Sequence, residues 1–158
     1  MTNGPPGTCL VQPRIKPDVE ADNPVRLETL TRDECLRLLA SVPVGRIGVS
    51  ISALPVILPV NFVLVGANIV IRTVPGTKLD AATRRAVVAF EVDSYAPDGS
   101  WGWSVLVQGV CSEVTDAAER AALAASPPRP WAFEDWAAER VLRIETSFVN
   151  GRRFQRER

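Results

Sequence analysis

Every long apolar run in this sequence is strand-length, and proline or glycine cuts each one short. A chain punctuated in this way cannot build long buried helices, so its core must come from strands. From Val44 the run Val44-Gly-Arg-Ile-Gly-Val-Ser-Ile51 predicts a strand, with glycines where a barrel bends or two backbones approach closely. Pro55 to Val65 predicts a second. Val56, Leu58, Val60, Phe62 and Leu64 form one face, and Ile57, Pro59, Asn61, Val63 and Val65 the other. Both faces are largely apolar, which predicts cover on both sides. Asn61 is a polar group among hydrophobes and needs a partner, either backbone or the edge of a ligand ring.

The stretch 69–93 reads as strand, glycine turn, short helix, strand. Ile69, Val70 and Ile71 are a buried run ending in Arg72 and Thr73, and Pro75-Gly76 breaks it. Thr77 starts a helix with Asp80 as its capping-box partner. A helix start offers unpaired N–H groups and partial positive charge. Arg72, Thr73, Thr77 and Lys78 around it would hold a phosphate, although an ordinary solvated turn has the same ingredients. Val87 to Asp93 follows as a strand, and Ser94 to Ser100 as a loop.

Trp101 then begins the long strand WGWSVLVQGVCSEVT. Trp101, Trp103, Val105 and Val107 share one face, continued by Gly109. Gly102, Ser104, Leu106 and Gln108 share the other. The two tryptophans could be plain packing or could wall a planar ligand. Two further helices carry their own start signals: the Thr31–Glu34 capping box with Leu30 and Cys35 as staple, and Asp116 with Glu119. The first should stop near Ser41 before Pro43, and the second before Pro127-Pro128. Trp131, Phe133 and Trp136 mark a short amphipathic segment, a lid or a partner contact. Val141 to Val149 alternates as a last strand, and Asn150-Gly151 signals a turn. Six strands with few helices predict a mainly β, antiparallel barrel with helices on its outside.

Residues 1–26, with five prolines, are expected to be an extended or disordered N-terminal arm. The barrel domain is expected over 27–153, and 154–158 as a basic, solvated C-terminal tail. No apolar run spans a bilayer and no secretory signal is visible, so a cytoplasmic protein is expected. Eighteen basic and eighteen acidic side chains cancel, so no overall field recruits nucleic acid or a membrane. Cys9, Cys35 and Cys111 are odd in number and widely spaced, which argues against a disulfide framework and for free thiols. The sequence has no histidine, and this removes histidine bases, histidine-dependent nucleophiles and zinc–histidine sites together. Chemistry here must rest on other groups or on a bound cofactor.

Taken in order, LTRDECLRLLASVPVGRIGVS, PVILPVNFVL, IVIRTVPGTKL, VAFEVD, GWSVLVQGVCSEVTD and the closing NGRR resemble the pyridoxamine 5′-phosphate oxidase-like family of FMN-binding split β-barrels. They look most like its actinobacterial members of uncertain substrate. The resemblance covers about Leu30 to Arg153. It implies a Greek-key split barrel and an obligate homodimer with FMN in two clefts at the subunit interface. It further implies that Pro59, Val60, Asn61 and Phe62 run along the isoalloxazine ring, largely through backbone. Arg72 and Thr73 would face ribityl and phosphate, Thr77 and Lys78 would bind phosphate, and Trp103 and Ser104 would reach the flavin from the later strand. True vitamin B6 oxidases carry consecutive basic residues at the helix start and a C-terminal histidine–arginine segment. Here Leu79 follows Lys78 and the chain ends in GRRFQRER. What the resemblance implies is therefore a flavin-dependent oxidoreductase of another small molecule, with the deazaflavin F420 as the alternative cofactor. A non-catalytic flavin carrier is the alternative role.

Overall fold

A computed structural model describes residues 24–73, 85–124 and 140–157. Helix α1 (Arg32–Ala40) starts where the capping box requires: Thr31 accepts from the Glu34 amide while the Glu34 carboxylate accepts from the Thr31 N–H at 2.8 Å. Cys35 and Leu39 on its inner face are fully buried. The strands are β1 (Val25–Leu30), β2 (Val44–Ile51), β3 (Leu54–Val65), β4 (Asn68–Thr73), β5 (Ala86–Tyr95), β6 (Trp101–Glu113), β7 (Arg140–Ile144) and β8 (Phe148–Arg156). Helix α2 (Ala117–Ala124) lies between β6 and β7, and Asp116 caps it by accepting from the Glu119 amide at 2.7 Å.

All pairings are antiparallel, in the order β1-β8-β6-β5-β2-β3-β4-β7, and β7 returns to pair with β6. Six strands thus close a barrel, and β8 and β1 extend the sheet beyond it. This is the expected split barrel, with two strands more than the alternation alone predicts. The interior holds Ile47, Val49, Phe62, Ile69, Ile71, Phe90, Val105, Val107 and Ile144, all nearly inaccessible. Phe62 meets Phe90 edge to face, centroids 4.8 Å apart. Gly45 makes room for Phe90: a Cβ there would collide with the ring. This is the close approach read from the glycines of β2.

The run Val141–Val149 is not one strand. Both β7 and β8 pair with the same edge of β6, but Ile144 lies opposite Cys111 and Phe148 opposite Gln108. Four steps on one strand therefore match three on the other, the extra residue of a bulge. The Glu145 amide still donates to the Val110 carbonyl at 3.1 Å. Gly109 sits beneath the crossing, where a Cβ would fall inside the Glu145 carbonyl oxygen. Thr146 fastens the break: its hydroxyl donates to the Ala67 carbonyl at 2.7 Å, and Arg32 of α1 donates to its hydroxyl and carbonyl oxygens.

Two further expectations are corrected here. Asn150-Gly151 is no turn but the middle of β8, and the arginine-rich end is a paired strand, since β8 meets β1 from Arg156 to Gly151. Gly151 is required by crowding: a Cβ there would stand 2.5 Å from the Cys35 sulfur. The sheet consequently begins at Val25 and ends at Arg156, beyond both sequence-based boundaries. Strand β3 is also less covered than its apolar faces predict. Val56, Leu58, Val60 and Leu64 pack on the core, but Ile57 is 71% exposed.

Candidate functional site

The backbone of β3 makes the first part of the site. Leu54 to Asn61 pair with β2, whereas the pairing with β4 begins only at Phe62. The Phe62 amide donates to the Pro43 carbonyl just before β2 begins. Because backbone groups alternate in direction along a strand, Ile57 and Pro59 turn theirs toward the opposite edge. Among the described residues no strand pairs with that edge between Pro55 and Pro59. Prolines at 55 and 59 suit it, since neither has an N–H to leave unpaired. The result is a short open edge among the described residues, offering backbone acceptors and the Ile57 N–H to a planar polar molecule.

Asn61 is half-buried where β3 passes from the open edge to its pairing with β4, and Phe62 is a core side chain that can contribute only backbone. Arg72 and Thr73, at the end of β4, are both half-buried. Arg72 extends to the same side as Val70, toward α2, and its Nη2 donates to the Leu123 carbonyl at 3.2 Å. A guanidinium at the end of a helix also complements its dipole. Thr77 and Lys78 lie outside the described residues, as do the Pro75-Gly76 turn, the Trp131–Trp136 segment and Cys9.

Trp103 and Ser104 form a second group. Trp103 packs half-buried against the core, and Ser104 is exposed on the outer face of β6 beside Asp93 and Arg152. Trp101, expected to share the inner face, is 44% exposed. The β4 end that carries Arg72 borders β7, which meets β6 only at Cys111–Glu113. From Ser104 to Glu113 is about 30 Å of extended strand. Round the other side of the barrel the link is shorter: Ser104 lies opposite Asp93, which accepts from Arg46, and Arg46 lies opposite Pro59 of β3.

Neither buried thiol offers an alternative nucleophile. Cys35 and Cys111 are both inaccessible thiols outside any disulfide, and burial pushes the Cys35 thiol above its ordinary pKa. No group of metal-ligating side chains occurs among the described residues. None of their helices is long and apolar enough to cross a membrane. Arg46 is fully engaged, donating to Glu91 at 3.0 Å and Asp93 at 2.7 Å, and both carboxylates raise its pKa. One feature of the site escaped the sequence reading: β8, taken for a turn and tail, places Arg152 and Phe154 beside Ser104. The alternation of Val149, Gly151 and Arg153 against Asn150, Arg152 and Phe154 was the available signal.

Comparison with known proteins agrees with the fold. Residues 31–153 match the family model described as pyridoxamine 5′-phosphate oxidase. An uncharacterized protein of Mycobacterium tuberculosis is 40% identical over 127 residues, covering 77% of this chain and 82% of the relative. The FAD binding protein of Mycobacterium smegmatis superposes with a TM-score of 0.69 at 33% identity, covering 80% of this chain and 98% of that one. A FAD-binding protein of Mesorhizobium loti shares the fold, with a TM-score of 0.68 at 24% identity over 84% of this chain and 99% of that one. With its closed six-stranded ring, its two added strands and a family match from Thr31 to Arg153, the chain belongs to the pyridoxamine 5′-phosphate oxidase family.

Proposed function

We propose that this protein is a flavin-dependent oxidoreductase acting on a small molecule other than vitamin B6, and that it works as a homodimer. The observation that carries the reading is the open edge of β3. Among the described residues no strand pairs with that edge between Pro55 and Pro59, which leaves Ile57 and Pro59 with backbone groups available to the polar edge of a ring. The residues present fit a flavin. The β3 edge at Pro59, Val60, Asn61 and Phe62 would lie along the isoalloxazine, and Arg72, Thr73, Thr77 and Lys78 would take the ribityl and phosphate end. A bound flavin would supply the electron chemistry, which suits a chain without histidine. The protein would orient the ring, exclude water from it and neutralise its phosphate.

The outer face of the sheet is suited to contact with a second copy. Ile57, Val87 and Phe148 are each more than 70% exposed there, and Leu106 and Val110 are partly so. Gly48 and Ala89 keep the face flat between them.

FMN is the cofactor the sequence favours, and the M. smegmatis relative is described as binding FAD. F420 would want an exposed basic groove for its acidic tail, and Arg46 is already committed to Glu91 and Asp93. Titrating the purified protein with FMN, FAD and F420, then reducing it anaerobically, decides among the readings. A bound flavin that cycles with reductant supports the enzyme, and one that binds but stays inert supports a carrier. Lys78→Ala and Arg72→Ala should each weaken flavin binding about tenfold or more, through a lost charge-assisted hydrogen bond. Unchanged affinity in both variants would remove the phosphate assignment. Buried free thiols fit a reducing cytoplasm, the compartment proposed here.

A further inference from the structure

The outer face of the sheet has a second recess, beyond the flat apolar area. Two rows of cross-strand neighbours define it. Asp93, Ser104 and Arg152 lie side by side across β5, β6 and β8. The next row runs from Tyr95 through Gly102 and Phe154 to Leu27 of β1. Gly102 has no side chain to fill the middle of that row, and the Phe154 ring lies directly over it, where a Cβ would collide. Tyr95 and Leu27 remain exposed on either side. The recess has a volume of about 340 Å³.

Its charges are unequal. The Asp93 carboxylate is held by Arg46. Arg152 has no hydrogen-bond or ion-pair partner among the described residues. The groove therefore presents apolar and aromatic walls, the hydroxyls of Ser94 and Ser104, and the guanidinium groups of Arg152 and Arg153. A guanidinium fork matches a carboxylate in two parallel hydrogen bonds, and the rings of Phe154 and Tyr95 favour a flat apolar body. Arg153 alternates to the other face, toward Glu34 of α1, so the one cation in the row of Ser104 suits a monoanion.

We propose that this groove binds a planar aromatic monocarboxylate, with Arg152 on the carboxylate and Phe154, Tyr95 and Leu27 around the ring. Calling that ligand the substrate rests on the flavin reading, because Trp103 and Ser104 border both. The binding itself does not. If the second copy brings this end of β6 to the flavin, the groove holds its occupant beside the isoalloxazine.

The test uses the full-length protein without added flavin, titrated calorimetrically at neutral pH with trans-cinnamate and with its neutral analogue cinnamamide. The groove predicts that cinnamate binds at least tenfold more tightly than the amide. Arg152→Gln should abolish that preference, and Arg37→Gln on the exposed side of α1 should keep it. Inorganic phosphate at equal concentration should leave cinnamate binding unchanged. Equal binding of acid and amide would overturn the proposal, as would a preference surviving in Arg152→Gln, displacement by phosphate, or no binding at millimolar ligand. Flavin titration of the same preparation separates the two readings: flavin binding without cinnamate binding removes only the groove, and the converse removes only the flavin.

Discussion

The two halves of β6 have opposite surroundings. From Gly109 to Glu113 the strand lies in the closed ring, crossed by the bulge at Glu145 and paired to β7. From Trp101 to Gln108 it exchanges β7 for β8 as neighbour on that edge and turns Ser104, Leu106 and Gln108 outward to solvent. One extra residue opposite Gly109 makes the difference, because it re-aims the chain from closing the barrel to extending the sheet. Both halves turn their inner residues to the core, Val105 and Val107 in the one and Cys111 in the other. The open half leaves its outer residues for other molecules: the groove lies there, with the Leu106 and Phe148 part of the proposed dimer face.

The sharpest way to break this division is at the crossing. Gly109→Ala places a methyl group against the Glu145 backbone, which cannot move without undoing either β7 or β8. The expected loss is about 4 kcal/mol or more, the range kept for severe core defects. Gly48→Ala is the matched control, since its Cβ would meet Ala89 at an ordinary 3.5 Å. Urea unfolding of the two variants measures the contrast. Equal stability would mean that the bulge is not fixed by Gly109.

A second pair tests the division of roles between the halves. Ile144, fully buried in the closed ring, should cost about 2–5 kcal/mol when replaced by alanine. Phe148, four residues on and 74% exposed, should change intrinsic stability by only about 0.5 kcal/mol on the same substitution. Phe148→Asp should instead shift the protein from dimer to monomer, as read by sedimentation across a concentration series. A variant that stays dimeric would move the subunit contact away from this face.

Much of the closed ring was legible in the sequence because its strands bury one face and so alternate. Val44–Ile51 has its expected bounds, β3 starts one residue early at Leu54, and the Thr31–Glu34 box starts α1 where its chemistry says. The bulge was not legible, because Val141 to Phe148 alternates without interruption and one extra residue leaves no mark in hydrophobicity. Gly109 was its only local sign, and a glycine within a strand has several meanings. Strand β1 was hidden for a related reason: Val25 and Leu27 are exposed, so no buried period marks them. The candidate site at β3, β4 and β6 came from family resemblance. Arg152 and Phe154 were hidden because Asn150-Gly151 imitates a hairpin turn, although packing against Cys35 demands that glycine.

A smaller effect is expected where the break is fastened. Thr146 is buried, and its hydroxyl both donates to Ala67 and accepts from Arg32, tying the β3–β4 turn and α1 to the bulge. Thr146→Val keeps the shape but leaves the Ala67 carbonyl without its hydroxyl donor. The cost should be about 1–3 kcal/mol, measured by thermal unfolding. Amide hydrogen exchange should show whether the loosening stays at residues 145–147 or spreads into β8. Spread into β8 would show that the open half depends on this clasp.

The smallest effect concerns the start of α1, which packs on β8 through Cys35 and Gly151. Thr31→Ala removes the side chain that caps the Glu34 amide and should cost about 1 kcal/mol. The same box predicts a pH dependence. Hydrogen bonds from the Thr31 backbone and hydroxyl lower the Glu34 pKa in the folded protein below its ordinary 4.5. A carboxylate with a depressed folded pKa contributes stability above its unfolded value, and loses that contribution as pH falls through the folded one. Wild-type protein should therefore lose stability more steeply than Glu34→Gln as the solution is acidified below about pH 4.5, and the two curves should run parallel at neutral pH. Solvent exposure of Glu34 keeps the difference small. Curves that stay parallel down into the acid range would show that the box holds α1 by geometry alone, leaving the attachment of β8 to the buried Cys35–Gly151 contact.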